Sequence, residues 1–502
     1  MTAVGEPVVH GKAVESQLKT NTLNLFDSTV IATSSVAPAY TLAATAAVLV
    51  AAVGLASPAA ILVGFLPVLF IAVAYYYLNR MDPNCGASYS WVSRTLNPYV
   101  GWLSGWIQLA ANVLFCAAAP LLAGAYTLQL LNSILPGQVS ADVAGNKYWI
   151  AGVAVLWLGL VTFMVVRGIR VTANFQWVLV LIEYLVVLGF AVAALVKVAT
   201  GNPPAASSFS GSWFNPFELG GFTGVATGAA LAVFFFWGWD TAANVNEETK
   251  DAERSPGQAG ILSMFILLFI FLLAIIAIQM FLSQDALNNA DNQSNILYYF
   301  AQQLSGTPLA YLMVLAVLSS TVATTQTTLL PSSRLTFSMA RDGVFPKLFG
   351  RVHTSWRTPW AGTIISSAVA VVVILLTVTV DKVNTLFGNL ILDIGILVAV
   401  YYGVTGLASA WAFRRVLLRS ARLFVFAGLL PLLSGLFLFY IAGYVVSQDT
   451  GAAVPVLVTM GLGVPLLVVA VVTNRSGFFR EKTVSYVMVD GRLTASPARP
   501  TT

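Results

Sequence analysis

The sequence contains little charge and an excess of apolar residues. Charged residues make up 9% of its 502 residues and hydrophobic residues 58%, whereas soluble domains carry about 25% and 45–50%, respectively. This composition excludes a soluble globular protein and a disordered chain. It also lacks the polar residues that would face the lumen of a membrane β-barrel. We therefore expect a single all-α membrane domain.

Cysteine and histidine are scarce. The two cysteines, Cys85 and Cys116, are too few for a disulfide framework, and His10 and His353 both lie outside the apolar runs. No HExxH, CxxC or P-loop pattern occurs, so we expect neither a bound metal nor a cofactor. An intramembrane enzyme would need a base or a metal set, which weakens that interpretation. The net charge of +5 comes from basic residues in short connectors, which indicates membrane topology rather than nucleic acid binding.

Twelve apolar runs are long enough to cross a bilayer, which takes about 20 residues per helix. Residues 1–23 and 474–502 flank them as short polar tails. The runs lie at about 24–53, 58–79, 97–131, 148–167, 173–198, 222–246, 258–282, 307–331, 360–380, 384–412, 423–446 and 453–473.

The basic residues orient these twelve crossings. Of the 25 Lys and Arg residues, 22 fall in the tails and in alternate connectors, whereas the other connectors carry only Lys147, Lys197 and Lys382. Positive charge accumulates on the cytoplasmic side of a membrane. Both termini are therefore predicted to be cytoplasmic, in a protein of the plasma membrane.

The first apolar run is predicted to be interrupted. Thr33, Ser34 and Ser35 precede Pro38, which removes one helical hydrogen bond and disfavours helix at the residue before it. The three hydroxyl groups compete for backbone partners. The alternative is an ordinary proline kink filled by small polar side chains.

The sixth run carries a second interruption. Residues 234–240 place Gly238 among aromatic residues and end on Asp240, a charge within apolar sequence. Irregular backbone at membrane depth lines protein or a cavity, although an aromatic core stripe is the simpler alternative. Interruptions in runs 1 and 6 predict a 5+5 inverted repeat and a transporter site. The predicted units are repeat one at about 24–198, repeat two at about 222–412 and two extra helices at about 423–473, all within 24–473.

Several motifs occur in the order found in one transporter family. They are the Thr33-Ser34-Ser35 triplet, Pro83 to Tyr89, Phe236-Trp237-Gly238-Trp239-Asp240, the pair Glu247-Glu248, Arg334, and Met339 to Pro346. Together they resemble permeases of the amino acid–polyamine–organocation (APC) superfamily, over nearly the whole chain.

The resemblance implies alternating access and a substrate site between helices 1, 3, 6, 8 and 10. A substrate carboxylate would meet free N–H groups at the break in helix 1, because a half-helix N-terminus carries unpaired donors. The substrate amine would meet carbonyl groups freed at the breaks. Thr33, Ser34 and Ser35 depart from the family's glycine-rich triplet, so hydroxyl donors stand where glycine would expose backbone.

The candidate substrate-binding residues come from helices 1, 3 and 6. Ser104, Gln108 and Asn112 are spaced four apart and form a polar stripe on run 3. Aromatic side chains of run 6 are candidate gates over an ammonium group. Asp240 is a candidate to gate the site, to bind the substrate amine or to titrate, and the alternative is a cap for the second half-helix. The predicted set is Ile31, Thr33, Ser34, Ser35, Ser104, Gln108, Phe234, Phe236, Trp237, Gly238 and Asp240.

Glu183 lies near the middle of run 5, where family members often carry a lysine. A carboxylate at that depth is costly and points to function, so we predict that Glu183 is the proton-coupling group or part of a cation site. The alternative is a protonated packing residue. Ser320 and Thr324 share one face of run 8 and form an alternative cation site, or they make hydrogen bonds between helices. Asp393 receives no role.

These observations predict a secondary transporter that imports an amino acid or a related amine, coupled to protons. The alternatives left open are a polyamine or organic cation permease, an amino acid exchanger, a sodium-coupled symporter and a sensor with a permease fold. A transporter of the major facilitator type would carry a long loop after helix 6, where residues 247–257 form only a short connector. The expected partners are the small-molecule substrate, protons or sodium, and the lipid bilayer, with no nucleic acid.

Overall fold

The computed structural model of the chain is almost entirely helical, as the composition predicts. It describes residues 17–135, 137–201, 204–289, 292, 295–378, 383–448, 450–489 and 492–497.

The helices match the predicted apolar runs closely. A hairpin of two antiparallel strands, β1 (Val484–Val489) and β2 (Arg492–Pro497), follows the last helix. In chain order the helices are α1 (Leu25–Val36), α2 (Pro38–Val53), α3 (Ser57–Met81), α4 (Ser88–Thr95), α5 (Pro98–Ile134), α6 (Ala141–Ala144), α7 (Lys147–Arg167), α8 (Ile169–Ala199), α9 (Gly221–Phe235), α10 (Thr241–Asn244), α11 (Ser255–Phe281), α12 (Gln284–Asn288), α13 (Ile296–Ser305), α14 (Thr307–Arg341), α15 (Trp360–Thr377), α16 (Val383–Phe413), α17 (Ala421–Gln448) and α18 (Thr450–Thr473).

Ten helical stretches among the described residues are long and apolar enough to cross a membrane. The first, Leu25–Met81, is 57 residues long, more than two crossings need, so it accommodates the two crossings predicted there. Helix α9, with 15 residues, is shorter than one crossing. A multi-pass helical membrane protein is therefore confirmed, while the count of twelve crossings and the inverted repeat stay predictions.

Both ends of the described chain lie at one end of the bundle. We call it the arginine-rich end, because Arg334 and Arg341 lie there. The N–H of Leu23 donates to the carbonyl of Glu248 at 3.0 Å, and Glu248 pairs with Arg334. The hydroxyl of Ser476 donates at 2.7 Å to the carbonyl of the residue after Arg341. This arrangement is the one expected for the even number of crossings that the sequence predicts.

The segment after α18 is packed onto the bundle. The sequence predicted only a polar tail there. Phe478 stacks on Tyr89 with ring centroids 6.1 Å apart, and Tyr486 of β1 is buried against Phe413 at 5.0 Å. These aromatic contacts anchor the tail and the hairpin to the ends of α4 and α16. Burial of such rings is a large apolar contribution to folding.

Helix α14 continues ten residues beyond the predicted run, which ended at 331. The extension is rich in Ser and Thr. Because these residues are polar, the apolar run used for the prediction ended before the helix does. In the structure Ser332 and Thr336 are buried, and their hydroxyls donate to the carbonyls of Thr328 and Ser332 at 2.9 Å. These bonds satisfy the hydroxyl groups within the helix itself.

Helices α16 and α17 approach each other through glycine, which yields a stability prediction. A Cβ added at Gly406 would lie 2.4 Å from the carbonyl oxygen of Pro431, whereas one added at Gly443 meets nothing within 4 Å. We expect Gly406→Ala to lower the free energy of unfolding by about 1–3 kcal/mol, because the helices must separate. Thermal unfolding of the purified protein measures the change.

Gly443→Ala is the matched control on α17. It should be neutral or stabilising, since alanine has the higher helix propensity by about 1 kcal/mol. Equal effects of the two substitutions would contradict close packing at Gly406.

Candidate functional site

The break between α1 and α2 follows from two neighbouring residues. Ala37 adopts a left-handed conformation, with φ of 54° and ψ of 73°, and Pro38 begins α2. The N–H of Ala37 still donates to the carbonyl of Thr33 at 3.1 Å, and the N–H of Thr41 to the carbonyl of Ala37 at 2.8 Å. Proline has no N–H. Two N–H groups of the first turn of α2 therefore need partners from elsewhere.

Side chains of α8 and α14 supply those partners. The N–H of Ala39 donates to Oε1 of Glu183 at 2.7 Å, and the N–H of Tyr40 donates to the hydroxyl of Ser320 at 3.1 Å. The Ser320 hydroxyl in turn donates to Oε1 of Glu183 at 2.8 Å. Glu183 is completely buried. Its carboxylate thus caps the N-terminus of the second half-helix, where a negative charge is stabilised by the helix dipole.

The other hydroxyl of the predicted pair on α14 contacts the end of α1. Thr324 donates to the carbonyl of Ser35 at 2.7 Å. Ser35 also shares a hydrogen bond of 2.9 Å between its hydroxyl and that of Thr241. Ser320 and Thr324 therefore both face the break, as their spacing of four residues predicts.

The second break separates α9 from α10 and touches the first. Gly238 has a φ of 115°, a conformation that glycine adopts without strain. A Cβ at this position would lie 2.8 Å from the carbonyl carbon of Ser35. The two interruptions predicted from the sequence are thus both present and pack directly against each other.

Asp240 is held by tyrosines rather than by its own helix. Its Oδ1 accepts from the hydroxyl of Tyr402 at 2.9 Å, and its Oδ2 accepts from the hydroxyl of Tyr401 at 3.1 Å and from Nε2 of Gln108 at 3.4 Å. The side chain makes no capping bond to α10. The alternative that the Asp240 side chain caps the second half-helix is therefore wrong, because both of its oxygens accept from other helices instead.

A small cavity lies where the two breaks meet. Its volume is about 10 Å³, which holds about one water molecule. Asp240 is the only ionisable residue among those described as lining it. The Nδ2 group of Asn112 is buried there and has no hydrogen-bond partner among the described residues. The cavity is thus acidic, has one donor to spare, and must widen before a substrate enters. Its lining includes Ser35, Asn112, Trp237, Gly238, Asp240 and Thr241.

The predicted residues divide between this cavity and its surroundings. Ser35, Trp237, Gly238 and Asp240 line it, and Gln108 contacts Asp240. The remaining predicted residues lie outside the lining. They are Ile31, Thr33, Ser34, Ser104, Phe234 and Phe236.

Those remaining residues are all buried. Thr33 lines a separate groove of about 650 Å³ between α1 and α8. Phe236 packs against Phe65 and Phe271 with ring centroids 5.3 and 5.4 Å apart. The hydroxyls of Ser34 and Ser104 have no hydrogen-bond partner among the described residues.

Sequence reasoning missed Tyr401 and Tyr402. Both are fully or almost fully buried, and both hold Asp240. Tyr401 also accepts from Nε1 of Trp237 at 2.9 Å. A pair of tyrosines within an apolar run is a usable signal, because a buried phenol needs a partner. The carboxylate that accepts from each tyrosine could not be predicted, because it depends on how α16 packs against the other helices.

Two bidentate ion pairs join the connector after α10 to α14 at the arginine-rich end. Arg334 donates to both oxygens of Glu248 at 2.9 Å, and both partners are fully buried. Arg341 donates to Glu247 at 2.9 and 3.1 Å. Burial by itself raises the pKa of Glu247, but the Arg341 guanidinium outweighs it and holds that pKa below its ordinary value. At Glu248 burial prevails over Arg334, and the pKa is raised.

No metal site is evident in the part of the chain that the structure describes. No three His, Cys, Asp or Glu side chains converge there closely enough to hold a metal ion. The site instead offers one carboxylate, tyrosine hydroxyls and an amide, which are partners for an ammonium group or a hydroxyl group.

Interrupted helices that meet at a buried acidic cavity, within a bundle of apolar helices, define a membrane permease. The family model described as amino acid permease matches residues 23–471, and the chain belongs to this family. That match includes both breaks, Glu183 and the tyrosines of α16.

Similar proteins are named as transporters of putrescine, of methylthioribose and of branched-chain amino acids. The low-affinity putrescine importer PlaP of Escherichia coli (strain K12) is 30% identical over 66% of this chain and 70% of its own. The methylthioribose transporter of Bacillus subtilis (strain 168) is 24% identical over 71% of this chain and 75% of its own. The branched-chain amino acid permease BcaP of the same strain is 26% identical over 60% and 63%. The protein is accordingly a membrane transporter for a small molecule.

The buried ion pair yields the second stability prediction. Arg334→Met or Glu248→Leu leaves one buried charge without its partner. We expect each single substitution to lower the free energy of unfolding by about 3–5 kcal/mol, and the double substitution to recover most of the loss. Thermal unfolding measures all three variants.

Arg170→Met is the comparison, because Arg170 pairs with Asp27 at 3.0 Å but is itself half-exposed. It should cost less than either single substitution, because the buried Asp27 keeps its hydrogen bonds from Trp177 and from the N–H of Asn24. If the double variant is no more stable than either single variant, the loss of stability does not come from an unpaired buried charge, and the prediction is wrong.

Proposed function

We propose that the protein is a secondary active transporter of the plasma membrane that imports an amino acid or a related amine by alternating access. Within this class we propose that amines without a carboxylate are preferred. The arginine-rich end faces the cytoplasm in this proposal, in keeping with the distribution of 22 of the 25 basic residues. The ion pairs of Arg334 and Arg341 then close the cytoplasmic side.

The observation that carries the preference is the hydrogen bonding of α2. Its N–H groups at Ala39 and Tyr40 already donate to Glu183 and Ser320. No donor of that first turn is left for a substrate carboxylate, because Pro38 has none and Thr41 bonds to backbone. The half-helix site that usually receives an anion is thus filled by the protein itself.

The cavity itself favours a cation. Asp240 supplies a buried carboxylate, and no basic residue is among those that line the cavity. A substrate ammonium would be attracted there, whereas a substrate carboxylate would be repelled by a like charge. The ring of Trp237 offers an additional cation–π contact. The putrescine importer among the similar proteins transports a molecule of this kind.

Glu183 is the proposed proton-coupling group. As a carboxylate it ties α8 to α2 through Ala39 and to α14 through Ser320. A proton on Glu183 removes the negative charge that the N-terminus of α2 stabilises and weakens the bond from Ala39. Proton binding would therefore loosen the break next to the cavity, which links protonation to opening.

Substrate preference is tested with matched pairs in proteoliposomes. Each pair consists of an amino acid and the amine left when its carboxylate is removed: ornithine with putrescine, and leucine with isopentylamine. We expect the amine to have a kcat/KM at least about tenfold higher within each pair, since one like-charge contact costs more than 1.4 kcal/mol. Asp240→Asn should abolish amine uptake.

Two outcomes would contradict parts of this proposal separately. Faster uptake of the amino acids would refute the preference for amines but not import. Absence of uptake for every compound, under an imposed proton or sodium gradient, would refute the import function itself.

Proton coupling is tested with Glu183→Gln, which keeps the shape of the side chain but cannot be ionised. We expect uptake to lose its dependence on an inward proton gradient, because the cap on α2 no longer titrates. Counterflow exchange at equal pH should persist. Glu218→Gln, at an exposed position between α8 and α9, is the control and should keep the dependence.

Sodium coupling is distinguished in the same assay by replacing sodium with choline. If uptake requires sodium and ignores the proton gradient, proton coupling is refuted and the alternative cation site at Ser320 and Thr324 is favoured.

A further inference from the structure

A second cavity lies beside the acidic one. Its volume is about 40 Å³, and it is formed by α2, α9, α16 and α17. Its lining includes Thr45, Val233, Phe234, Ala399, Ile441 and Ala442.

This cavity has an apolar wall. Thr45 is the only polar side chain among the residues described as lining it. The Thr45 hydroxyl already donates to the carbonyl of Thr41. Such a wall favours apolar groups over water, because a bound water needs two or more polar partners. Hydrocarbon is therefore the matching chemistry.

Two aromatic rings separate the apolar cavity from Asp240. Phe234 lines the apolar cavity and Trp237 lines the acidic one, with ring centroids 6.3 Å apart. Trp237 is tied to Asp240 through the hydroxyl of Tyr401. Rotation of these rings would join the two cavities into one site.

Helix α16 shows how far the apolar cavity lies from Asp240 and in which direction. Ala399 lines the apolar cavity and lies three residues before Tyr402, which is about 4.5 Å along a helix. The other end of α16, at Phe413, contacts Tyr486 at the arginine-rich end. The apolar cavity therefore lies beyond Asp240, on the side away from the arginine-rich end.

We infer that the apolar cavity is the subsite for the hydrocarbon tail of the substrate, with the ammonium group at Asp240. The inference rests on the proposed function and makes its substrate class narrower. The preferred substrate is a monoamine with a short branched or aromatic hydrocarbon tail. A diamine fits less well, because its second ammonium would be buried against an apolar wall without a partner.

The tail subsite is tested by uptake of amines that differ only in the tail. Isopentylamine and phenylethylamine should have a kcat/KM about tenfold or more above those of ethylamine and putrescine, since each buried methylene improves discrimination severalfold. Putrescine transported as well as isopentylamine would overturn the inference and leave the import of amines standing. Absence of uptake for all four amines would overturn both.

Two variants of α17 change the subsite without touching Asp240. Ala442→Leu fills the cavity and should lower kcat/KM for phenylethylamine about tenfold or more, with ethylamine little changed. Ile441→Ala enlarges it and should shift preference toward the larger tail. Ala193→Leu, at an exposed position on α8, is the matched control. Equal loss for phenylethylamine and ethylamine in Ala442→Leu, with no shift in Ile441→Ala, would overturn the subsite.

Discussion

The first turn of α2 imposes the constraint on which the rest of the site depends. Interrupting a helix inside a membrane exposes N–H groups that have no water to bond with. Pro38 removes one of them, and Glu183 and Ser320 accept the two that remain. Three helices are thereby joined at one point. Burial of the Glu183 carboxylate is offset by the positive end of α2, which it faces.

The two helix breaks pack directly against each other. Ser35 and Thr241 share a hydrogen bond across them, and Gly238 lets the second break approach the backbone of the first. The connector that follows α10 carries Glu247 and Glu248, which close the arginine-rich end. The first break, the cavity and these ion pairs are thus connected by a continuous series of packed groups. Cores that pack this tightly shift between discrete arrangements.

Some parts of the site were predictable because they depend on local chemistry. Pro38 and Gly238 interrupt helices by their own backbone properties, and Ser320 and Thr324 share a face through helical periodicity. The roles of Tyr401 and Tyr402 were not predictable in this way. Their partner, Asp240, is about 160 residues distant in the chain, and helical periodicity carries no information on contacts across such a distance.

The sequence by itself determined the membrane class, the runs that form helices, both interruptions and the family. The first three depend on composition, on the length of apolar runs and on proline and glycine geometry, all of which are local. The family follows from motifs that occur in order along the chain. Only the tertiary structure decided that Glu183 caps α2, that Asp240 is held by tyrosines and that an apolar cavity adjoins it. Each of these requires the relative rotation and depth of separate helices, which packing alone sets.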